Sequence, residues 1–142
     1  MQALKEGLRD GTIDAIATDH APHATHDKEQ DFAAAPFGIV GLETALPLTL
    51  ALVEEGVLSL EAAVAKLTTS PAEAFKLPKG TLTRGADADV TVIDPDAYWE
   101  VDPARFRSRS RNTPFAGWKV KGRVTMTIVD GRLVYELDTH DM

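Results

Sequence analysis

The sequence predicts an α/β fold over its first half and a β-rich second half. Residues 13–17 form a short apolar run that has the composition of a buried strand and ends in a polar loop. Residues 39–53 are apolar at most positions, which indicates a helix that is buried on nearly all sides. From Gly80 onward apolar and polar residues tend to alternate, which is the period of a β-strand.

Helices are expected on both sides of the apolar run. Residues 1–10 carry two leucines one helical turn apart, and Gly11 ends this helix. A longer helix is expected at residues 41–55, where Pro47 forces a kink or a late start because proline lacks a backbone N–H group.

Two further helices follow, each with a recognisable N-terminus. Ser59 is a typical N-cap for a helix over residues 60–67, and Glu61 lies in its first turn. The sequence Ser-Pro-Ala-Glu at residues 70–73 is typical of a capping box with proline at the first helical position. We therefore expect a short helix to begin there.

Strands are predicted throughout the second half of the chain. The runs that predict them lie within residues 87–94 and at residues 98–101, 124–129 and 132–135. The Asp-Pro pair at residues 94 and 95 is expected to end the first strand. Asp130 and Gly131 separate the last two runs, and Asp-Gly favours a two-residue β-hairpin turn.

The composition is that of a soluble globular protein. Of 142 residues, 44% are hydrophobic and 26% are charged, and the formal net charge is −7 at pH 7. This charge argues against nucleic-acid binding, and the single basic row (Arg105, Arg107, Arg109, Arg111) is typical of the solvated face of an extended segment. The chain lacks cysteine, a signal-peptide pattern and any apolar run near the ~20 residues of a membrane span, so we expect a cytoplasmic location and no membrane partner.

Residues that can bind a metal ion follow the apolar run. Asp19, His20, His23 and His26 lie among the nine residues after Ala17. In parallel α/β folds, catalytic groups collect in the loop after the carboxyl end of a strand. A catalytic zinc takes three protein ligands of these types and a water molecule. We expect one or two ligands from this loop, completed elsewhere. The alternative is a capped turn with solvated side chains.

A single parallel strand cannot form a sheet, because parallel strands need neighbours and helices on both faces. A (β/α)₈ barrel takes about 250 residues, and the first half of this chain offers only one such strand, so the chain could supply only the last βα unit. We therefore expect the C-terminal piece of a longer enzyme or a truncated gene product. The alternative is a small self-contained fold that buries its apolar helix, for example in a dimer.

Five motifs are spread along nearly the whole chain. They are Ala-Thr-Asp-His-Ala-Pro-His at residues 17–23, Ala-Pro-Phe-Gly-Ile-Val-Gly-Leu-Glu-Thr-Ala-Leu at 35–46, Leu-Thr-Thr-Ser-Pro-Ala at 67–72, Gly-Ala-Asp-Ala-Asp at 85–89 and Ser-Arg-Asn-Thr-Pro-Phe-Ala-Gly at 110–117. Together they resemble the closing segment of a bacterial-type (class I) dihydroorotase of the amidohydrolase superfamily. The Asp-His-Ala-Pro-His and Ala-Pro-Phe-Gly runs are specific for dihydroorotases, whereas the last three motifs also occur in related cyclic amidases.

The resemblance implies a fold and a reaction. The fold is a TIM-like (β/α)₈ barrel with a small β-sandwich beside it, to which residues 1–78 contribute the end of the barrel and residues 79–142 the C-terminal strands of the sandwich. The reaction is the zinc-dependent, reversible hydrolysis of dihydroorotate to N-carbamoyl-L-aspartate in pyrimidine biosynthesis, with one or two zinc ions in the complete enzyme.

The resemblance also assigns roles to four residues. Asp19 matches an aspartate that ligates a metal and transfers a proton, and His23 matches a side chain that helps to hold the substrate carboxylate. Phe37 and Gly38 match a stretch whose backbone meets the substrate ring. The family's His-x-His pair and its other metal ligands have no counterpart here, so we expect this chain alone to be inactive and to bind zinc weakly.

Two other functions are compatible with the resemblance. The first is a non-catalytic, dihydroorotase-like scaffold that binds aspartate transcarbamoylase, because some relatives keep the fold and lose metal ligands. The second is another cyclic amidase, of the hydantoinase or allantoinase type. Asp19 and His23 argue mildly against the first. The Ala-Pro-Phe-Gly run together with His23 argues against the second.

Overall fold

The computed structural model describes residues 1–138. Residues 139–142, the end of the predicted β-sandwich region (residues 79–142), lie outside that range. Residues 1–138 form five α-helices and a three-stranded sheet. The helices are α1 (Gln2–Asp10), α2 (Thr25–Lys28), α3 (Ala45–Glu54), α4 (Leu60–Leu67) and α5 (Thr69–Ala74), and the strands are β1 (Val90–Glu100), β2 (Lys119–Val129) and β3 (Arg132–Glu136). Within residues 1–138, every helix is too short or too polar to span a lipid bilayer.

Three of the predicted helices form as expected. Helix α1 ends at Gly11, whose φ of 85° is the left-handed conformation that glycine adopts easily. Helix α3 starts late, at Ala45, so that Pro47 lies in the first turn, where a missing N–H group breaks no helical hydrogen bond. Helix α4 is capped by Ser59, whose Oγ accepts a hydrogen bond from the backbone N–H of Ala62 at 3.1 Å.

The predicted capping box at residues 70–73 is wrong. Helix α5 begins at Thr69, two residues before the predicted first helical residue Pro71, and no side chain caps its N-terminus. Only Thr68 separates α4 from α5, so the chain enters the second helix before Ser70 can act as a cap. The Thr68 hydroxyl instead donates to the carbonyl of Val64 in α4, at 2.7 Å.

The predicted buried strand at residues 13–17 is also wrong. This segment is not part of a strand, and both of its isoleucines are only half-buried. Within residues 1–138 the single sheet is antiparallel and pairs only β1, β2 and β3, so the segment has no parallel neighbour. It is held by α4 instead: Ile16 N–H donates to the Lys66 carbonyl at 3.0 Å, and the Lys66 ammonium donates to the Ile13 carbonyl.

The predicted hairpin is confirmed. Strands β2 and β3 pair antiparallel with Val129 opposite Arg132. The two turn residues, Asp130 and Gly131, have φ values of 50° and 72°, which is the geometry of a type I′ turn. The first two predicted strands are one strand, β1, whose pairing with β2 shifts register between Asp94 and Tyr98.

Helix α3 joins the two halves of the chain because it packs directly on β2. The contact is closest at Gly122, where an added methyl group would lie 2.2 Å from Leu50 Cδ1. Gly122 also has a φ of 97°, which other residues rarely adopt. The absence of a side chain at this position is therefore what lets the helix lie on the sheet.

The chain exposes an unusually large surface for its size. Its accessible area is 9876 Å² for 15.3 kDa, whereas a compact monomer of this mass exposes about 7,100 Å². The excess of about 2,700 Å² includes large apolar side chains, among them Phe32 and Phe37, which are 98% and 95% exposed. The buried side chains form only small clusters, such as Val40 with Val101 and Phe106.

A cluster of ion pairs ties the segment before the sheet to the hairpin. Lys79 Nζ lies 2.6 Å from a carboxylate oxygen of both Asp87 and Asp89, and Asp89 also accepts the backbone N–H of Asp130 at 2.9 Å. The hydrogen bond from Lys79, and then that from Asp130, lower the pKa of Asp89. The hydrogen bonds from Lys79 to the two aspartates raise the pKa of Lys79.

Gly122→Ala is expected to destabilise the fold strongly. Overpacking against Leu50 and a strained φ together cost about 3 kcal/mol of unfolding free energy. The control is Gly117→Ala, where φ is also positive, at 77°, but no atom lies within 4 Å of the added methyl group. Urea unfolding should show a much smaller loss for the control. Equal losses would mean that the contact with Leu50 is unimportant.

Asp89→Asn should reduce stability only where the carboxylate is ionised. The lowered pKa of Asp89 means that its contribution is present above the ordinary value of 3.8 and is lost as pH falls from 3.8 through the folded-state pKa. The unfolding midpoints of the variant and the parent chain should therefore differ at pH 7 and converge as pH falls well below 3.8. The control is Asp31→Asn, at an exposed position; a difference that persists at low pH would contradict the assignment.

Candidate active site

Three loops meet at the site. They are the histidine loop (residues 18–26), the glycine loop (residues 36–41) and the arginine segment (residues 105–112). The backbone N–H of Ala21 donates to the Ile39 carbonyl at 2.9 Å, which joins the first two loops. The N–H of Val40 donates to the Asn112 carbonyl at 3.0 Å, which joins the glycine loop to the arginine segment.

Asp19 lies at the start of this junction with an available carboxylate. Its φ of 46° is in the left-handed region, which aspartate tolerates better than most residues. The side chain is exposed, and it forms no hydrogen bond or ion pair with any other residue in 1–138. An ionised carboxylate in this state can accept a proton or ligate a metal ion with either oxygen.

The structure brings His23 and Gly38 together. A methyl group on Gly38 would lie 3.3 Å from His23 Nε2 and only 2.5 Å from the Ala21 side chain. Gly38 also has a φ of 108°, so no other residue fits here without displacing the histidine loop. Phe37 precedes Gly38, and its ring is exposed. No hydrogen bond within residues 1–138 links His23, Phe37 or Gly38 to the Asp19 carboxylate.

His20 connects all three loops. Its Nδ1 accepts the backbone N–H of Gly41 at 3.1 Å, so in the neutral ring the proton lies on Nε2, which is 3.4 Å from Ser108 Oγ. The Ser108 hydroxyl donates to Glu43 Oε2 at 3.3 Å, and the Ser108 N–H donates to Glu43 Oε1 at 2.8 Å. His20 therefore connects the three loops through its two ring nitrogens.

The arginine segment confirms the predicted alternation and adds to it. The row of arginines is exposed, whereas Phe106 is buried and Ser108, Ser110 and Asn112 are half-buried. Sequence reasoning gave no role to the inward residues of this segment or to Glu43. The only signal in the sequence was the period of two, which places Ser108 and Asn112 on the side opposite the arginines.

The described residues do not form a zinc site by themselves. No group of three His, Cys, Asp or Glu side chains within residues 1–138 converges as metal ligands would. His26 is exposed and lies 3.4 Å from Asp27, away from Asp19 in the following helix α2. Of the ligand types in the histidine loop, the Asp19 carboxylate alone is both exposed and without a partner in the described chain. A catalytic zinc takes three protein ligands, so Asp19 fits the role of one ligand and no more.

A cleft lies elsewhere in the described residues, between α3 and the sheet. It has a volume of about 820 Å³ and meets the site at Glu43 and at the start of the arginine segment. Five carboxylate side chains and three arginines line it. Two of these arginines lie over aromatic rings, Arg107 over Tyr135 and Arg123 over Trp99. Asp19 and His23 are not among its lining residues.

The sequence model of the amidohydrolase family matches residues 1–134. The chain belongs to the amidohydrolase family. Curated relatives of this amidohydrolase include a protein named dihydroorotase from Syntrophus aciditrophicus, 57% identical over 97% of the chain, and one from Syntrophotalea carbinolica, 60% identical over 96%. The chain spans about a third of the length of each, 32% in both cases.

Solved amidohydrolase structures share the fold of this chain. An L-hydantoinase from Arthrobacter aurescens is 41% identical, with a TM-score of 0.85 over 94% of the chain and 31% of its own length. A dihydropyrimidinase from Brevibacillus agri is 28% identical, with a TM-score of 0.86 and the same coverage of 94% and 31%. The arrangement of helices, sheet and loops described above is therefore that of a segment of such enzymes.

His20→Ala should loosen the junction of the loops, because it leaves the buried Gly41 N–H without an acceptor, at a cost on the order of 1 kcal/mol. His20→Asn places Oδ1 where Nδ1 lies and should restore this bond. Amide exchange at Gly41, followed by NMR, should be faster in the alanine variant and close to the parent rate in the asparagine variant. Equal rates in all three proteins would mean that His20 does not hold the glycine loop.

Proposed function

We propose that this chain is part of a dihydroorotase, in which it supplies the proton-transferring carboxylate and part of the substrate site. The reaction is the reversible hydrolysis of the cyclic amide of dihydroorotate to N-carbamoyl-L-aspartate. The observation that carries the proposal is the Asp19 carboxylate, which is exposed and unpaired within residues 1–138. Asp19 lies in the same loop as His23, whose ring is held against Gly38. The identity of 57–60% to relatives named dihydroorotase supports the same reaction.

Asp19 is suited to general acid–base catalysis. A carboxylate oxygen takes a proton from the attacking water and returns it to the amide nitrogen as the ring opens. Zinc, when bound, supplies Lewis acidity towards the water and the carbonyl group. Because Asp19 is a single ligand, one or two zinc ions require ligands from outside the described residues.

His23 and the glycine loop are suited to hold the substrate. A histidine ring pairs well with a carboxylate, most strongly when it is protonated. The ring of His23 lies against Gly38, where this ring and the Ala21 side chain occupy the space that a Gly38 side chain would need. We assign the substrate carboxylate to His23 and the substrate ring to the backbone of Phe37 and Gly38.

The remaining part of the enzyme would cover the exposed surface. We assign residues 1–78 to the end of a (β/α)₈ barrel and residues 79–142 to a β-sandwich completed by another segment. The excess area of about 2,700 Å² and the coverage of 32% of the relatives' length support this assignment.

Two alternatives are less well supported. A hydantoinase has the same fold, but the identity to the hydantoinase structure is 41% against 57–60% for the dihydroorotases. Hydantoin also lacks the carboxylate that His23 would bind. A scaffold role, with aspartate transcarbamoylase or a second copy as partner, gives no reason for an exposed carboxylate at Asp19.

A chimera tests the proposal. The corresponding third of the Syntrophus aciditrophicus dihydroorotase is replaced by this chain, and ring opening is measured on dihydroorotate and on hydantoin with zinc present. The chimera should prefer dihydroorotate, and Asp19→Asn should lower kcat by about 100-fold or more because it removes the proton acceptor. The 142-residue chain alone should show no turnover.

Three results would contradict the proposal. Turnover by the chain alone would show that the missing ligands are unnecessary. A preference of the chimera for hydantoin would favour the hydantoinase reaction. Full activity of the Asp19→Asn chimera would mean that another group transfers the proton. The unmodified Syntrophus aciditrophicus enzyme serves as the positive control for the assay.

A further inference from the structure

We propose that Asn112 is a positioning residue for substrate binding, acting through His23 and Gly38. The inference rests on the proposed function, because the substrate carboxylate is what His23 is assigned to hold. Asn112 belongs to the arginine segment, in the second half of the chain, whereas the residues it holds are 74 to 91 positions earlier in sequence. It does not contact the Asp19 carboxylate.

Both polar groups of the Asn112 side chain, the amide oxygen and the amide nitrogen, bind the histidine and glycine loops. Its Nδ2 donates to the carbonyl of Ala21 at 2.9 Å and to that of Gly38 at 3.2 Å. Its Oδ1 accepts the backbone N–H of His23 at 3.3 Å. The two carbonyls and the N–H group fix which end of the amide is oxygen and which is nitrogen.

The backbone of Asn112 strengthens the same junction. Its carbonyl accepts the N–H of Val40, two residues after Gly38. One residue therefore holds the histidine loop from its side chain and the glycine loop from both side chain and backbone. Lys28 adds a second support, since its ammonium donates to the carbonyls of Pro36 at 2.8 Å and Gly38 at 3.1 Å.

This arrangement fixes the distance between the His23 ring and the backbone of Gly38. Reacting and binding groups must be held within a fraction of an ångström, and a shift of about 1 Å can cost 100-fold in rate. Aspartate has the same shape as asparagine but has no donor, and its charge would face two carbonyl oxygens. Asn112→Asp should therefore separate the two loops without removing packing volume.

The test uses the active chimera described above. Asn112→Asp and Asn112→Ala should each lower kcat/KM for dihydroorotate by about 30-fold, mostly through a higher KM, because the substrate site is displaced while Asp19 is untouched. In a His23→Ala background the same substitutions should have a smaller effect than in the parent, since one of the two groups they position, the His23 ring, is absent. Arg109→Gln, at an exposed position in the same segment, is the matched control and should behave as the parent.

A second readout does not depend on turnover. Hydrogen exchange followed by mass spectrometry should be faster in peptides covering residues 19–26 and 36–41 of both Asn112 variants, and unchanged in Arg109→Gln. Faster exchange with a full, additive loss in the His23→Ala background would overturn the proposal, because Asn112 would then not act through His23. A loss in kcat with unchanged KM would also overturn it.

The outcomes separate this inference from the proposed function. If the unsubstituted chimera opens hydantoin but not dihydroorotate, the proposed function fails, and unchanged hydrogen exchange in the Asn112 variants would independently overturn the positioning role. If Asn112→Asp does not fold, Asn112→Ala, which adds no charge, provides the same comparison. Unfolding of both variants would mean that Asn112 is needed for the whole fold, and the proposal would be wrong.

Discussion

The site depends on hydrogen bonds from the arginine segment to two loops that have no regular secondary structure at their junction. Backbone groups that leave solvent need partners, and a loop has no helical or sheet ladder to supply them. Asn112 supplies partners to both loops, and His20 supplies one to Gly41. Apolar packing joins the glycine loop to the arginine segment, where Val40 and Phe106 are buried together with Val101. The histidine loop, which carries Asp19, is joined to the other two by polar contacts between distant parts of the chain.

The features that sequence reasoning predicted well are those that neighbouring residues determine. The hairpin follows from Asp130 and Gly131, which can both adopt positive φ, and the start of α4 follows from the Ser59 cap. The alternating exposure of the arginine segment follows from its period of two. In each case the interacting groups lie within a few positions of one another, so the local sequence contains the whole cause.

The features that sequence reasoning missed depend on contacts between distant residues. Asn112 lies in a motif that has the local composition of a turn, and only the fold places it against Ala21 and Gly38. Glu43 lies in an apolar region, and its bond to Ser108 spans 65 positions. The capping box failed because α4 continues almost to the start of α5. A single sequence gives residue types at these positions but not the pairing between them.

The three features that a self-contained fold would not have share one physical cause under the proposed function. Residues 13–17 have the composition of a strand without a parallel neighbour, Phe32 and Phe37 remain in contact with water, and Asp19 offers one ligand where zinc takes three. The unpaired segment and the exposed rings cost free energy, and the single carboxylate leaves a zinc ion short of ligands. Further barrel strands that carry metal ligands would remove all three features. A dimer of this chain would cover apolar area, but it would not supply the His-x-His ligands that both copies lack. Under the proposed function, the chemistry of the site therefore favours further barrel strands that carry ligands, rather than a second copy, as what covers this surface.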